Sequence, residues 1–243
     1  MTGALATQRF GRVDALRGIA IVWMVAFHFC FDLNYFGILV PKQNFYADPF
    51  WTQQRTALVS LFLFTAGMSQ AIALEAGQGW PRFWRRWAQI AVCALLVSAG
   101  SALMFPKSWI SFGILHGIAL MLVATRLAAP LGRWLWPLGL LLILLPQWLA
   151  HPMFDSRWLN WAGLVTKKPV TEDYAPLLPW LGVMCWGLAA GQWCLAAHRH
   201  WLAGSLPKAA RPLALLGRWS LGVYMLHQPL FIAALMAWRW VAG

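Results

Sequence analysis

The sequence predicts an all-α protein that crosses a membrane about seven times. Three observations carry this reading. Of 243 residues, 60% are hydrophobic and 11% charged, under half the roughly 25% charged of a soluble domain. The apolar residues form continuous runs near the ~20 residues a bilayer requires, not the alternating segments of about 10 residues that build a transmembrane barrel. The basic residues sit between those runs, as the positive-inside rule demands.

The predicted spans lie near 14–39, 56–76, 84–105, 109–128, 131–150, 176–197 and 214–240. Pro106, Pro130 and Gly132 mark tight connections. The longest connection, 151–175, is polar, with Trp158 and Trp161 suited to the membrane interface. With the N-terminus inside, 12 of the 19 Lys and Arg fall on the inner side, Arg9, Arg12 and Arg17 among them. Asp48, Asp155, Glu172 and Asp173 fall outside. The expected orientation is therefore N-terminus cytoplasmic and C-terminus outside, in one domain over 1–243. No short apolar core with a small-residue cleavage site precedes the first span, so that helix is expected to be kept. The net charge of +12 does not indicate nucleic acid, because the charge is dispersed between spans. Cys30, Cys93, Cys185 and Cys194 lie in apolar runs and show neither a disulfide framework nor a zinc spacing.

The first span, "RVDALRGIAIVWMVAFHFCFDLNYFG" (12–37), carries ionisable groups that an apolar helix ordinarily excludes. A charge at a helix centre costs roughly 2.5–3.5 kcal/mol on insertion scales. At about 100° per residue, Asp14, Arg17, His28 and Asp32 share one ~60° stripe. Such a stripe faces the bundle interior or a water-filled cavity. His28 lies ~16 Å along the helix from Arg17. Asp32, at i+4, is close enough to orient its imidazole for general base work. The plainer alternatives are an interfacial ion pair for Asp14 and Arg17, and helix packing for His28.

"DALRGIAIVWMVAFHF" resembles the first helix of the heparan-α-glucosaminide N-acetyltransferase catalytic-domain family, in its short bacterial form. The Arg-Gly pair, with a histidine eleven residues after the arginine, also resembles the broader membrane acyltransferases that O-acetylate glycans. "SLFLFTAGMSQAIAL" (60–74), "FGILHGIAL" (112–120), "PLLPWLGVMCWGLAAG" (176–191) and "LGRWSLGVYMLHQPLF" (216–231) resemble later helices of the family in the right order. The similarity covers nearly the whole chain. The longer eukaryotic members have more helices and a luminal domain, and place an asparagine where this chain has His28. His28 matches the O-acetylating relatives better.

The resemblance implies an enzyme moving an acetyl group from cytosolic acetyl-CoA to a glycan amine or hydroxyl at the outer face of a bacterial cytoplasmic membrane. His28 would be general base or a transient acyl carrier, oriented by Asp32, with Arg17 holding donor phosphate or offsetting negative charge. His116 and His227, at ~10 Å below the outer end and ~13 Å above the inner end of their helices, come near the depth of His28. They could donate to an oxyanion, as could Tyr224. Planar guanidiniums suit phosphate, so Arg82, Arg85 and Arg86 of "RFWRRW" join Arg17 as candidates for the coenzyme A nucleotide. No HExxH-like pair supports a metal. The expected partners are membrane lipid, acetyl-CoA and the acceptor, with a homodimer as one way a small bundle encloses its site. The competing classes are a proton-coupled transporter, whose paired halves are not visible here, and a non-catalytic scaffold.

Overall fold

The computed structural model describes residues 10–171 and 173–242. Arg9 and Glu172, used in the charge balance above, lie outside them. Among the described residues the secondary structure is helical, without strands. The α-helices are α1 (Gly11–Tyr35), α2 (Pro49–Glu75), α3 (Trp80–Met104), α4 (Ile114–Ala128), α5 (Leu135–Leu144), α6 (Pro146–Leu149), α7 (Leu177–Ala197), α8 (Arg199–Ala203), α9 (Arg211–Arg218) and α10 (Ser220–Ala242). Six helical stretches are long and apolar enough to cross a membrane: α1, α2, α3, Ile114–Leu149, α7 and Ser220–Val241. All four cysteines are free thiols, Cys185 and Cys194 buried and Cys30 and Cys93 partly so.

The chain forms two compact units, one over Leu63–Leu202 and one over Phe10–Phe62 with Ala203–Gly243. In the first, α7 is the central helix, with Met184, Cys185 and Leu188 almost wholly buried. The second half of α2 runs alongside it in the same direction: Phe64 meets Gly187, Ala71 meets Gly191, and Glu75 pairs with Arg199 at 3.4 Å. A side chain at Gly67 or Gly187 would strike the facing backbone, so glycine sets this approach. α4 also runs with α7, from Gly117 beside Ala175 to Ala129, whose carbonyl accepts from Gln192 Nε2 at 2.9 Å. α5 runs against α7, with Trp186 Nε1 donating to Trp136 O at 3.0 Å and Ile143 beside Gly182. The chain therefore reverses between α4 and α5. Gly132, at φ 53°, makes the reversal, a conformation that side chains disfavour. Ile114–Leu149 is not one straight rod: 36 residues would extend ~54 Å, well beyond a ~30 Å hydrocarbon core.

The connection 151–175 is tied down by polar side chains. Asp155 accepts from Thr166 N at 2.7 Å, Thr166 Oγ1 at 2.6 Å and Lys167 N at 3.1 Å. These bonds, the Thr166 hydroxyl first, hold its carboxyl below the usual range. Asp173 accepts from Ile114 N at 2.7 Å and so caps α4.

In the second unit α9 crosses α1. Leu213 lies on Gly18 and Gly217 lies on Asp14, an order that makes the helices antiparallel at the contact. A Cβ on either glycine would meet carbonyl oxygen of the other helix, so the backbones touch. The expected span 214–240 is thus divided: α9 folds back along α1, Trp219 turns non-helically, and α10 then runs the same way as α1. Ile21, Met24 and Leu58 form the buried core, flanked by Val223 and Tyr224 of α10. Phe27, Phe45 and Trp51 pack together above it, with the Phe45 and Trp51 rings stacked 4.0 Å apart. Asn34 fixes the loop after α1 by exchanging two hydrogen bonds with the Gln43 backbone, at 3.0 and 2.6 Å.

Two outcomes follow from this packing. Gly18→Leu is expected to destabilise the folded protein by more than about 2 kcal/mol, through overpacking at the α1–α9 crossing, whereas Gly222→Ala, with open space around it, should be tolerated. Thermal melts of both proteins in detergent check this. The Asp155 contribution is full above the ordinary carboxylate pKa of 3.8 and is lost as pH falls through the lowered folded value. Amide exchange at Thr166 and Lys167 should accelerate in strong acid, and intrinsic-rate-corrected protection that is flat with pH would contradict the assignment.

Candidate functional site

The stripe on α1 resolves into two separate polar devices. At its beginning, Asp14 pairs with Arg218 Nε at 3.4 Å and with Arg17 Nη1 at 3.6 Å. Arg17 Nη1 also donates to Gly217 O at 3.5 Å. This network lies on the Gly18–Gly217 crossing and ties α1 to α9. Beside it is a cavity of about 400 Å³ lined by Gly11, Leu206, Arg211, Ala214, Leu215 and Arg218. Arg12 packs its guanidinium over Gly204 near by.

Further along α1, the second device joins α1 to α10. His28 Nδ1 lies 2.7 Å from His227 Nε2, with the two rings within 15° of parallel. His227 Nδ1 lies 2.7 Å from Tyr224 O and 3.2 Å from Val223 O. A carbonyl only accepts, so Nδ1 of His227 carries a proton. In the neutral pair, Nε2 of His227 is then an acceptor and Nδ1–H of His28 donates to it. That leaves the lone pair of His28 on Nε2. The backbone carbonyl at the far end therefore fixes the tautomer of the near ring. Edges of Phe27 and Phe231 border the two imidazoles.

Asp32 is 3% exposed. It does not orient His28 as its i+4 position suggested: its Oδ1 accepts from Gln228 Nε2 at 3.0 Å, and the orienting partner of His28 is His227. The second oxygen of Asp32 and the Oε1 of Gln228 are both buried without a hydrogen-bond partner.

His116 lies in the other unit and has a different job. Gly113 N–H donates to its Nδ1 at 3.2 Å. Its Nε2 lies 3.2 Å from Ser98 Oγ, which in turn donates to Ile110 O at 2.6 Å. Both ring nitrogens are engaged, one in the N-terminal cap of α4 and one in tying α3 to α4. Arg82, Arg85 and Arg86 are exposed along the first turns of α3, where Arg86 reaches Gln89 Oε1 at 3.1 Å. The buried guanidinium of that region is Arg126, between the rings of Trp80 and Phe83 at 4.6 and 4.7 Å. Among the described residues no three His, Cys, Asp or Glu side chains gather as metal ligands.

The family model described as heparan-alpha-glucosaminide N-acetyltransferase, catalytic, matches residues 9–229. The chain belongs to this family. Nothing among curated proteins or solved structures matches it. Membership points to a multi-pass membrane protein of acetyltransferase type. The match includes α1 and the portion of α10 through His227 and Gln228, so the paired imidazoles fall within the region that defines the family.

Sequence reading singled out His28, Asp32 and His227, with Gln228 beside His227 as able to bind a carbonyl or hydroxyl, but did not pair them across helices. Gln228 as the partner of Asp32 depends on α1 and α10 being neighbours, and Arg218 as that of Asp14 on α9 folding back along α1. Selective ¹⁵N-histidine spectra of the purified protein should show His28 protonated at Nδ1 and unprotonated at Nε2. The reverse pattern would mean that the pair is polarised the other way.

Proposed function

We propose that the chain is a transmembrane acetyltransferase that takes the acetyl group of cytosolic acetyl-CoA and delivers it to an amine or hydroxyl of a glycan at the outer face of a bacterial cytoplasmic membrane. The observation that carries this reading is the His28–His227 pair between α1 and α10, which leaves the lone pair of His28 on Nε2. The reversal at Gly132 supports counting α4 and the α5–α6 segment as separate crossings. That gives seven, and with the charge balance a cytoplasmic N-terminus and an outer C-terminus.

An amine acceptor sheds one proton to outer water and attacks the thioester carbonyl carbon as the neutral amine. As the C–N bond forms, its second proton passes to His28 Nε2. The C–S bond breaks, sulfur leaves with the electron pair, and the proton on Nε2 returns to it as the thiol. A hydroxyl acceptor needs only the second transfer. His227 holds the ring and spreads the positive charge that develops on it. The nucleotide of the donor is assigned to the cavity at the start of α1, because Arg211 and Arg218 are among its lining residues and planar guanidiniums suit phosphate. Arg17 steadies that end through Asp14. Arg82, Arg85 and Arg86 on α3 are the phosphate candidates that the sequence offered. His116 serves stability.

The test uses purified protein with radiolabelled acetyl-CoA, first without acceptor and then with glucosaminides. Wild type should release CoA and transfer label, and His28→Ala should lower the rate by roughly 10²–10⁴, the usual contribution of a general base. His116→Ala should lose about 1–2 kcal/mol of stability, for two hydrogen bonds, with turnover kept in the folded fraction. Unchanged transfer by folded His28→Ala would overturn the role of His28. Label retained on His28 before acceptor is added would replace direct transfer with an acyl-histidine route.

A further inference from the structure

Two acceptor atoms, Asp32 Oδ2 and Gln228 Oε1, are shut off from solvent with no donor to satisfy them. They belong to two planar groups that already touch, since Gln228 Nε2 donates to Asp32 Oδ1 at 3.0 Å. Asp32 is 3% exposed, and among the described residues no ion pair reaches it. As an ionised carboxylate it would be a buried charge without a cation, held by one neutral amide. A lone charge of that kind is costly. An unsatisfied buried acceptor is destabilising and rare in native proteins, and here one bonded pair of side chains holds two. Both faults have one remedy. A carboxylic acid carries an O–H donor that a carboxylate lacks. One proton on Oδ2 removes the charge, turns one orphaned acceptor into a donor, and gives the other, Gln228 Oε1, the bond it lacks.

We infer that Asp32 is a protonated carboxylic acid at neutral pH, that its Oδ2–H donates to Gln228 Oε1, and that this reciprocal acid–amide pair positions the imidazoles of His28 and His227. The inference goes beyond the acetyltransferase reading and does not depend on it. The amide donates through Nε2 and accepts through Oε1. The acid accepts through Oδ1 and donates through Oδ2–H. The two groups thus close a ring of two hydrogen bonds, and both orphaned atoms find a partner in it. The pair joins the same two helices as the histidines. Asp32 is one turn beyond His28 on α1, and Gln228 follows His227 on α10. Two directional bonds fix the register and rotation of α10 against α1 at the level where the rings must also meet, at 2.7 Å. A neutral acid also puts no negative charge beside the histidines that would favour an imidazolium.

The experiment is an infrared difference spectrum of full-length protein in lipid nanodiscs at neutral pH, wild type minus Asp32→Asn. The C=O stretch of a protonated carboxyl is resolved from the stretches of a carboxylate, and the difference assigns it to Asp32. A protonated-carboxyl band should be present in wild type and lost in Asp32→Asn. In Gln228→Leu, which cannot accept, that band should move to the higher frequency of a free acid. This variant carries the assignment if Asp32→Asn does not fold, as judged by its melt. Asparagine can rebuild the ring with its own amide, so Asp32→Asn should melt with wild type and keep the ¹⁵N-histidine pattern of the imidazole pair. Asp32→Leu cannot, and should melt at least about 4 °C lower, for two lost bonds, with altered histidine signals. A difference spectrum with carboxylate bands alone would overturn the protonated state. A carboxyl band that Gln228→Leu leaves in place would overturn the pairing with Gln228. Histidine signals unchanged in Asp32→Leu would overturn the positioning role.

Discussion

Hydrocarbon offers no water to a polar group, so each polar side chain on a spanning helix must find its partner within the protein. The arrangement of α1 follows from that constraint. Its charges do not form one continuous wire. Asp14 and Arg17 are closed by Arg218 and the Gly217 carbonyl, while His28 and Asp32 are closed by His227 and Gln228. The first set makes the second possible. Gly18 and Gly217 let α9 touch α1, and the ion network keeps them there, which fixes where α10 begins. From that start, α10 brings His227 to His28 on a path parallel to α1. The glycine after Arg17 is as much a part of the site as the arginine, although it lies several turns from the imidazoles.

Much of this was legible because helical periodicity reports which residues share a face. The stripe on α1, the helical class and the family all came from the sequence, and the stripe residues Asp14 and Asp32 are buried as expected. What periodicity does not report is which helix stands opposite. Depth estimated along α10 from Arg218 left His227 about 8 Å short of His28. Arg218 proved a poor ruler, because the turn at Trp219 separates it from α10. His116 looked equivalent to His227 on depth alone. Its surroundings separate them: Gly113 and Ser98 occupy both nitrogens of His116. The i+4 rule for Asp32 and His28 failed for a related reason, since an amide from another helix reached the carboxylate first.

The protonic logic of the histidine pair bears on what kind of machine this is. A proton taken up at His28 Nε2 releases the Nδ1 proton toward His227 Nε2. His227 can pass nothing further, because its Nδ1–H points at the carbonyls of Tyr224 and Val223, which are not exchangeable acids or bases. The relay is therefore a closed end. A proton that enters at Nε2 leaves by the same atom. A proton-coupled carrier needs the opposite, a succession of titratable groups leading to the other side. An acyl transfer needs only a base that holds a proton while one bond forms and gives it up as another breaks. The pair can hold one proton and spread its charge over two rings.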